Sequence, residues 1–195
     1  MATYSGYINV GHNSYSEWES NTLNNSYDVD GSYGYQCWDF ISLFYFNVGF
    51  PIRYPILTNS NMYTMWDNRL LNISYNGTTY FDLITSVQDI KQGDIIVFNQ
   101  NQSNPFGHAG FAIQDYSNWQ PDPNEPYEFP ILSQNNGGAY VNIHGYDIRL
   151  FLGAFRYKDW HITPPTPPSP SSLRRGSQYS KFPFVLYANK LRKQR

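Results

Sequence analysis

The sequence has little of several features that would classify it at once. One cysteine in 195 residues excludes a disulfide within the chain, and only 14% of the residues are charged. No stretch is apolar for long enough to cross a bilayer, and the first residues lack the basic and apolar regions of a secretory signal peptide. We therefore expect a protein made in the cytoplasm without a signal peptide or membrane span, whose order comes from packing.

What the sequence does contain is aromatic and polar without charge. It has 18 tyrosines, 13 phenylalanines and 5 tryptophans, and its polar positions are mostly asparagine, serine and glutamine. Aromatic, uncharged surfaces suit neutral or carbohydrate-like ligands, and we expect no nucleic-acid partner. Nothing in the sequence indicates an organic cofactor.

Charge divides the chain into a body and a tail. Seven of the 13 basic residues and none of the 15 acidic ones follow residue 163, so the body carries a net charge of −9. We predict a domain over residues 1–163, an extended Pro/Ser-rich linker over 164–172 and a basic-aromatic tail over 173–195. The tail is interpreted either as a disordered segment or as a docking segment for a partner surface or an anionic polymer.

Hydrophobic periodicity predicts helices first and strands afterwards. A buried helix is expected over residues 37–47, ended by Gly49 and Pro51, and a second short helix over 61–71. Strand patterns follow at 94–98, 109–113, 130–134, 140–143 and 150–157. This order predicts an α+β fold in which N-terminal helices pack on an antiparallel β-sheet.

The single cysteine, Cys37, begins the predicted buried helix. At a helix N-terminus the backbone N–H groups and the macrodipole favour thiolate over thiol, so the pattern indicates a nucleophile. Of the four histidines, His108 is the best candidate for its base, because it starts an apolar strand between Gly107 and Gly110. The other three, at positions 12, 144 and 161, are interpreted as surface residues.

Four segments in this order resemble one family: Gly34-Tyr-Gln-Cys-Trp-Asp39, Gly93-Asp-Ile-Ile-Val-Phe98, Gly107-His-Ala-Gly110 and Ile131-Leu-Ser-Gln-Asn135. Together they resemble the CHAP domain, the papain-like (NlpC/P60-type) cysteine amidohydrolase/peptidase of phage endolysins, tail-associated lysins and bacterial wall hydrolases. The resemblance covers about residues 20–160. It implies a phage-type peptidoglycan hydrolase that acts on the bacterial cell wall.

The resemblance implies that Cys37 attacks an amide carbonyl of peptidoglycan and that His108 serves as base and then as acid. Many relatives carry Glu-Gln-Asn where this chain has Ser133-Gln134-Asn135. Strand alternation places Ser133 and Asn135 on one face, so we expect Asn135 to orient the imidazole, with Ser133 assisting. Asp115 is a weaker candidate.

Oxygen-bearing residues precede the cysteine at relative positions 1, 3, 5, 7 and 12, which is the ligand spacing of an EF-hand-like calcium loop. They are Asp28, Asp30, Ser32, Gly34 and Asp39. The glycine usual at position 6 is replaced by Tyr33. Some CHAP endolysins bind calcium at matching positions, so the resemblance also favours a Ca²⁺ site; the alternative is a turn whose carboxylates cap the helix.

Several functional alternatives stay open at this stage. The sequence does not separate an endopeptidase from an N-acetylmuramoyl-L-alanine amidase, because both cleave similar amides. The tail favours one alternative, a virion-associated lysin anchored through residues 173–195. Ser133 in place of the glutamate favours another, a catalytically weak or inactive structural or wall-binding module of the same fold.

Overall fold

A computed structural model describes residues 6–136 and 138–160 of the chain. The predicted linker, the tail and His161 lie outside these residues. Four α-helices and eight strands are found in the described ranges: α1 Tyr15–Thr22, α2 Cys37–Asn47, α3 Thr64–Asp67, α4 Arg69–Ile73, β1 Ser74–Tyr75, β2 Thr78–Thr79, β3 Phe81–Ile84, β4 Ile95–Phe98, β5 His108–Ala112, β6 Glu128–Gln134, β7 Val141–Asp147 and β8 Phe151–Tyr157. No helix within them is both long and apolar enough to cross a membrane.

Six strands form one antiparallel sheet in the order β3-β8-β4-β5-β6-β7, and β1 and β2 form a separate hairpin. The pairing of β5 with β6 is short, because only Phe111↔Leu132 and Ala112↔Ile131 are in register as partners. Beyond these two pairs, Gly110 of β5 lies against Ser133 of β6. His108, at the start of β5, also lies beside Ser133.

Helix α2 packs against β5 and β6 through an aromatic core. The rings of Phe40 and Phe44 both contact Phe111 edge-on, at centroid distances of 5.3 and 5.0 Å. Trp18 of α1 is fully buried and stacks on Phe40 at 5.4 Å. Burial of several large rings fixes the position of α2 on the sheet, and the helix carries Cys37 at its first position.

The predicted α+β architecture is confirmed. Helix α2 has the predicted bounds, and Gly49 follows it with φ +70°, the left-handed conformation that ends many helices. The helix expected over 61–71 is two short helices, α3 and α4, separated at Asn68. The amide of Asn68 donates to the carbonyl of Thr64, so this side chain binds the backbone of the preceding turn at the break.

Candidate active site

The thiol of Cys37 lies at the N-terminus of α2 and is partly buried. The residue before it, Gln36, is extended, and its N–H donates to Oδ2 of Asp39 at 2.8 Å. The backbone N–H groups of Ala109, Trp38 and Cys37 itself are directed at the thiol. Because Ala109 follows His108, this contact brings the first residues of α2 and β5 together.

The environment of the thiol favours its neutral form. Burial raises the pKa of Cys37 to about 11, Asp39 raises it further, and the three backbone N–H groups lower it less than burial raises it. Burial therefore opposes the thiolate that the helix N-terminus favours. The helix N-terminus does supply donors around the sulfur, but the desolvation of a negative charge outweighs them.

His108 is buried, with 2% of its surface exposed, and its ring is held on two sides. Its Nε2 lies 3.0 Å from Oγ of Ser133, and the ring of Tyr146 stacks on the imidazole at 4.9 Å with an interplanar angle of 15°. A Cβ at Gly110 would lie 2.8 Å from Cβ of Ser133. Glycine at position 110 therefore lets β6 approach closely enough for Ser133 to reach the ring.

Burial also determines the charge of the imidazole. It lowers the pKa of His108 to about 3, and the charge of His144 acts in the same direction. No carboxylate bonds the ring among the described residues. Burial thus favours the neutral form of both the thiol and the imidazole.

Asn135 does not occupy the position expected of it. Its amide Nδ2 donates to Oε1 of Gln36 at 3.1 Å, and its φ of +64° lies in the left-handed region. Strand β6 ends at Gln134, so the alternation that would place Asn135 beside Ser133 stops one residue too early. Ser133 contacts the imidazole, and Asn135 contacts the cap of α2.

Two residues at this site were not singled out from the sequence. Tyr146 lies on β7 and covers one face of the His108 ring, and its hydroxyl accepts from Nδ2 of Asn104 at 3.3 Å. Gln134 is fully buried and bonds the backbone on both sides of the segment before Cys37. Tyrosine is frequent in this chain, and a glutamine in an apolar strand gives no sign of its partners, so local sequence carried no signal for either.

Three of the predicted calcium ligands converge. One carboxylate oxygen from each of Asp28, Asp30 and Asp39 lies within 4.8 Å of the others. We call residues 28–35, which lead into Gln36, the acidic loop. Burial raises the pKa of Asp39 to about 6, and the charges of Asp30 and Asp28 add to this, while the N–H groups of Gln36 and Val29 oppose it. Three carboxylates are therefore concentrated at one place in the fold.

The loop is tightly wound. Tyr33, at the position where EF-hand loops usually have glycine, has φ +60° and is 96% exposed. A non-glycine residue in this conformation costs about 1–2 kcal/mol. Ser32 and Gly34, the two other predicted ligands, lie in the same turn, where the N–H of Ser32 donates to Oδ1 of Asp30 at 2.7 Å.

The raised pKa of Cys37 predicts how the rate of its alkylation depends on pH. The rate of reaction of Cys37 with iodoacetamide is expected to rise about tenfold per pH unit from about pH 6 to about pH 9, because only the thiolate reacts. Because the chain has one cysteine, intact mass reports on this site alone, and Cys37→Ser gives the blank. A rate that is flat over this range would instead indicate a resting thiolate–imidazolium pair.

Comparison with known proteins places these residues in a family. The CHAP domain model matches residues 26–119, a segment that contains Cys37, His108 and the acidic loop. A D-alanyl-L-alanine endopeptidase of Streptococcus phage B30 is 34% identical over 127 residues, which are 64% of this chain. The chain spans 25% of the length of that relative.

Two solved structures are also similar. The endolysin LysIME-EF1 has 18% sequence identity and a TM-score of 0.48, with 76% of this chain and 64% of that chain covered. Ly7917 has 16% identity and a TM-score of 0.30, with coverage of 52% and 55%. From the family match, residues 26–119 of this chain are a CHAP domain.

Proposed function

We propose that this chain is a phage-type peptidoglycan hydrolase that cleaves an amide bond of the bacterial cell wall with Cys37 as nucleophile. The observation that carries the proposal is that the backbone N–H of Ala109, the residue after His108, reaches the sulfur of Cys37 together with the N–H groups at the start of α2. The CHAP match over the same residues and the phage relative support it.

The proposed reaction begins from the neutral pair. When Ser133 accepts from Nε2–H, the lone pair of His108 is on Nδ1, which then takes the thiol proton as sulfur attacks the carbonyl carbon. The oxyanion receives hydrogen bonds from backbone N–H groups at the start of α2. The C–N bond breaks, imidazolium protonates the amine, and water hydrolyses the thioester with His108 again as base.

Ser133 has a limited part in this reaction. Its hydroxyl fixes the direction of the imidazole and can accept from the Nε2–H, but it brings no negative charge to stabilise imidazolium. The stacked ring of Tyr146 faces the same imidazole and offers its π electrons to the developing cation. We propose Ser133 as the residue that orients His108, with Asn135 acting on the cap of α2.

Between the two possible bonds, we propose the endopeptidase reaction ahead of the amidase reaction. The phage B30 relative is by its name a D-alanyl-L-alanine endopeptidase, and it shares 34% of 127 residues with this chain. Mass analysis of fragments from purified wall separates the two. Stems that stay on the glycan and end in a new D-alanine carboxyl group support endopeptidase, whereas intact stems released from muramic acid would establish the amidase instead.

We also propose that the acidic loop binds Ca²⁺. Two oxygens on one Ca²⁺, each at about 2.3–2.6 Å, lie at most about 5 Å apart, so the cluster of Asp28, Asp30 and Asp39 fits such an ion. The candidate ligands Ser32 and Gly34 follow the predicted spacing. When bound, the ion supplies positive charge that offsets the repulsion among the carboxylates and stiffens the segment before Cys37.

Calcium is accordingly expected to stabilise the protein. At about 100 times Kd, binding to the native state alone adds about 2.7 kcal/mol, which raises Tm by about 5–10 °C in a domain of this size. Asp30→Asn is the matched variant, because an asparagine oxygen can still accept from the N–H of Ser32. The Tm of this variant should respond little. A wild-type Tm equal in Ca²⁺ and in chelator would contradict the site.

The context of the reaction is a separate proposal. The acidic body and the basic tail over 173–195 favour attachment of the tail to anionic wall polymers or to phage tail proteins. Removing residues 164–195 is the corresponding experiment, with lysis in solution retained and wall or virion association lost. The tail lies outside the described residues, so the proposal depends on its charge alone.

A further inference from the structure

Gln134, the last residue of β6, holds both ends of the acidic loop with one side chain. Its Oε1 accepts from the N–H of Tyr27 at 2.7 Å, and its Nε2 donates to the carbonyls of Tyr27 at 2.7 Å and Gln36 at 2.9 Å. The side chain is fully buried. Both amide hydrogens are therefore used, and water is not available to replace either bond.

The bond to Gln36 constrains the peptide that leads into the nucleophile. A trans peptide is planar, and its C=O and N–H point in opposite directions. When Gln134 holds the carbonyl of Gln36, it also fixes the direction of the N–H of Cys37. That N–H is one of the three directed at the thiol. A rotation of this peptide would turn the donor away from the place where the substrate carbonyl must lie.

The residues on either side of Gln134 contact the same site. Ser133 reaches Nε2 of His108 at 3.0 Å, and Asn135 reaches Oε1 of Gln36 at 3.1 Å. Three consecutive residues thus hold the imidazole, the Gln36–Cys37 peptide and the Gln36 side chain. The end of β6 is the element that places the base and the backbone donor relative to each other.

We propose that Gln134 is a positioning residue that aims the backbone N–H of Cys37 at the developing oxyanion by holding the carbonyl of Gln36. This inference rests on the proposed function. An oxyanion donor works because it is oriented before the reaction, and removal of one such donor lowers kcat by about 10²–10³-fold. A donor that is present but free to rotate loses part of that effect.

Gln134→Met keeps the length of the side chain and removes its polar atoms. We expect kcat on soluble wall peptides to fall about 10- to 100-fold, with KM changed by less than about twofold. The rate of alkylation of Cys37 by iodoacetamide should fall much less than kcat, because that reaction forms no oxyanion and the N–H groups of Ala109 and Trp38 still lower the thiol pKa. An equal loss in alkylation would mean a general disruption of the site and would contradict the inference.

Asn72 provides the matched control. It is a fully buried amide in α4 whose Nδ2 donates to the carbonyls of Ile56 at 3.1 Å and Met65 at 3.1 Å. Asn72→Leu should lower Tm as Gln134→Met does, since both remove buried hydrogen bonds, and should leave kcat unchanged. A similar fall in kcat in both variants would reduce the role of Gln134 to stability and overturn the proposal.

Gln134→Glu is the second variant and decides the question if Gln134→Met does not fold. An ionised carboxylate accepts from the N–H of Tyr27 but cannot donate to the carbonyl of Gln36, whereas a protonated one can. The ratio of its kcat to that of wild type should therefore rise as pH falls from about 8 to about 5, because burial raises the carboxyl pKa into this range. A constant ratio would contradict the inference.

The outcomes also distinguish this inference from the proposed function. If wild type releases no fragments from purified wall, the proposed function fails and the inference fails with it. If wild type hydrolyses the wall and both Gln134 variants keep its kcat, the inference alone fails.

Discussion

Replacing Cys37 by alanine is expected to abolish hydrolysis of purified peptidoglycan, with a rate at least about 10⁴-fold below wild type. The thiol is the one cysteine sulfur in the chain, and three backbone N–H groups surround it. Without it, backbone donors and binding remain, but no covalent intermediate can form. Release of soluble fragments, measured by turbidity and by mass, gives the rate.

The melting temperature of Cys37→Ala shows whether the variant is still folded. Cys37 is only partly buried, so removal of one sulfur should change Tm by no more than a few degrees. Cys37→Ser tests the chemistry more closely, because it keeps the shape and replaces the thiol by a far weaker acid. Wall clearing by Cys37→Ala at a rate comparable with wild type would remove the nucleophile from the proposal.

Replacing His108 by glutamine is expected to lower the rate of hydrolysis by about 10²–10⁴-fold, because glutamine cannot take the thiol proton as the imidazole does in the proposed reaction. The loss should be large here, since the pKa of Cys37 is raised to about 11 and little thiolate exists at neutral pH without a base. Glutamine can still bond Ser133, so the strand end is kept. A variant with more than about a third of the wild-type rate would contradict the assignment.

The same variant reports on acid stability. The folded pKa of His108 is lowered to about 3 from 6.5, so between these values the unfolded chain binds more protons than the native protein. The contribution of neutral His108 to stability is complete above pH 6.5 and is lost as pH falls toward 3. His108→Gln should therefore lose less stability on acidification than wild type.

Protonation of Asp39 changes the folding stability in the opposite direction as pH falls, so its effect must be separated from that of His108. Its folded pKa is raised to about 6 from 3.8, so its protonation favours the native state as pH falls through that range. Asp39 is present in both wild type and His108→Gln, and the difference between their urea unfolding curves at each pH isolates the histidine. Parallel losses in the two proteins would contradict the buried neutral imidazole.

The sequence predicted the elements that are strongly patterned over a short range. Helix α2 has the predicted bounds because apolar residues repeat at helical spacing and Gly49 ends it. The five strands from β4 to β8 were expected within a few residues of their observed bounds. Helix α1 was missed because it is polar except for buried positions such as Tyr15 and Trp18, so its apolar face is too narrow to give a clear period.

The sequence could predict a residue of the candidate site only where the pattern around that residue was enough to identify it. Cys37 and His108 each begin an element, and the structure brings those two beginnings together. The position of Asn135 could not be predicted, because it depends on where β6 ends and on a left-handed turn that strand alternation does not indicate. The charge state of the thiol was also beyond the sequence, because burial is a tertiary property.

The central claim is that Cys37 forms a covalent acyl intermediate with the wall peptide. Acid quenching of wild type during steady-state turnover of a soluble wall peptide, followed by intact-mass and peptide mapping, tests this directly. We expect a mass increase equal to the acyl part of the cleaved substrate, located on the peptide that contains Cys37 and lost after treatment with hydroxylamine. Full turnover with no adduct under these conditions, or an adduct on any other residue, would contradict the account.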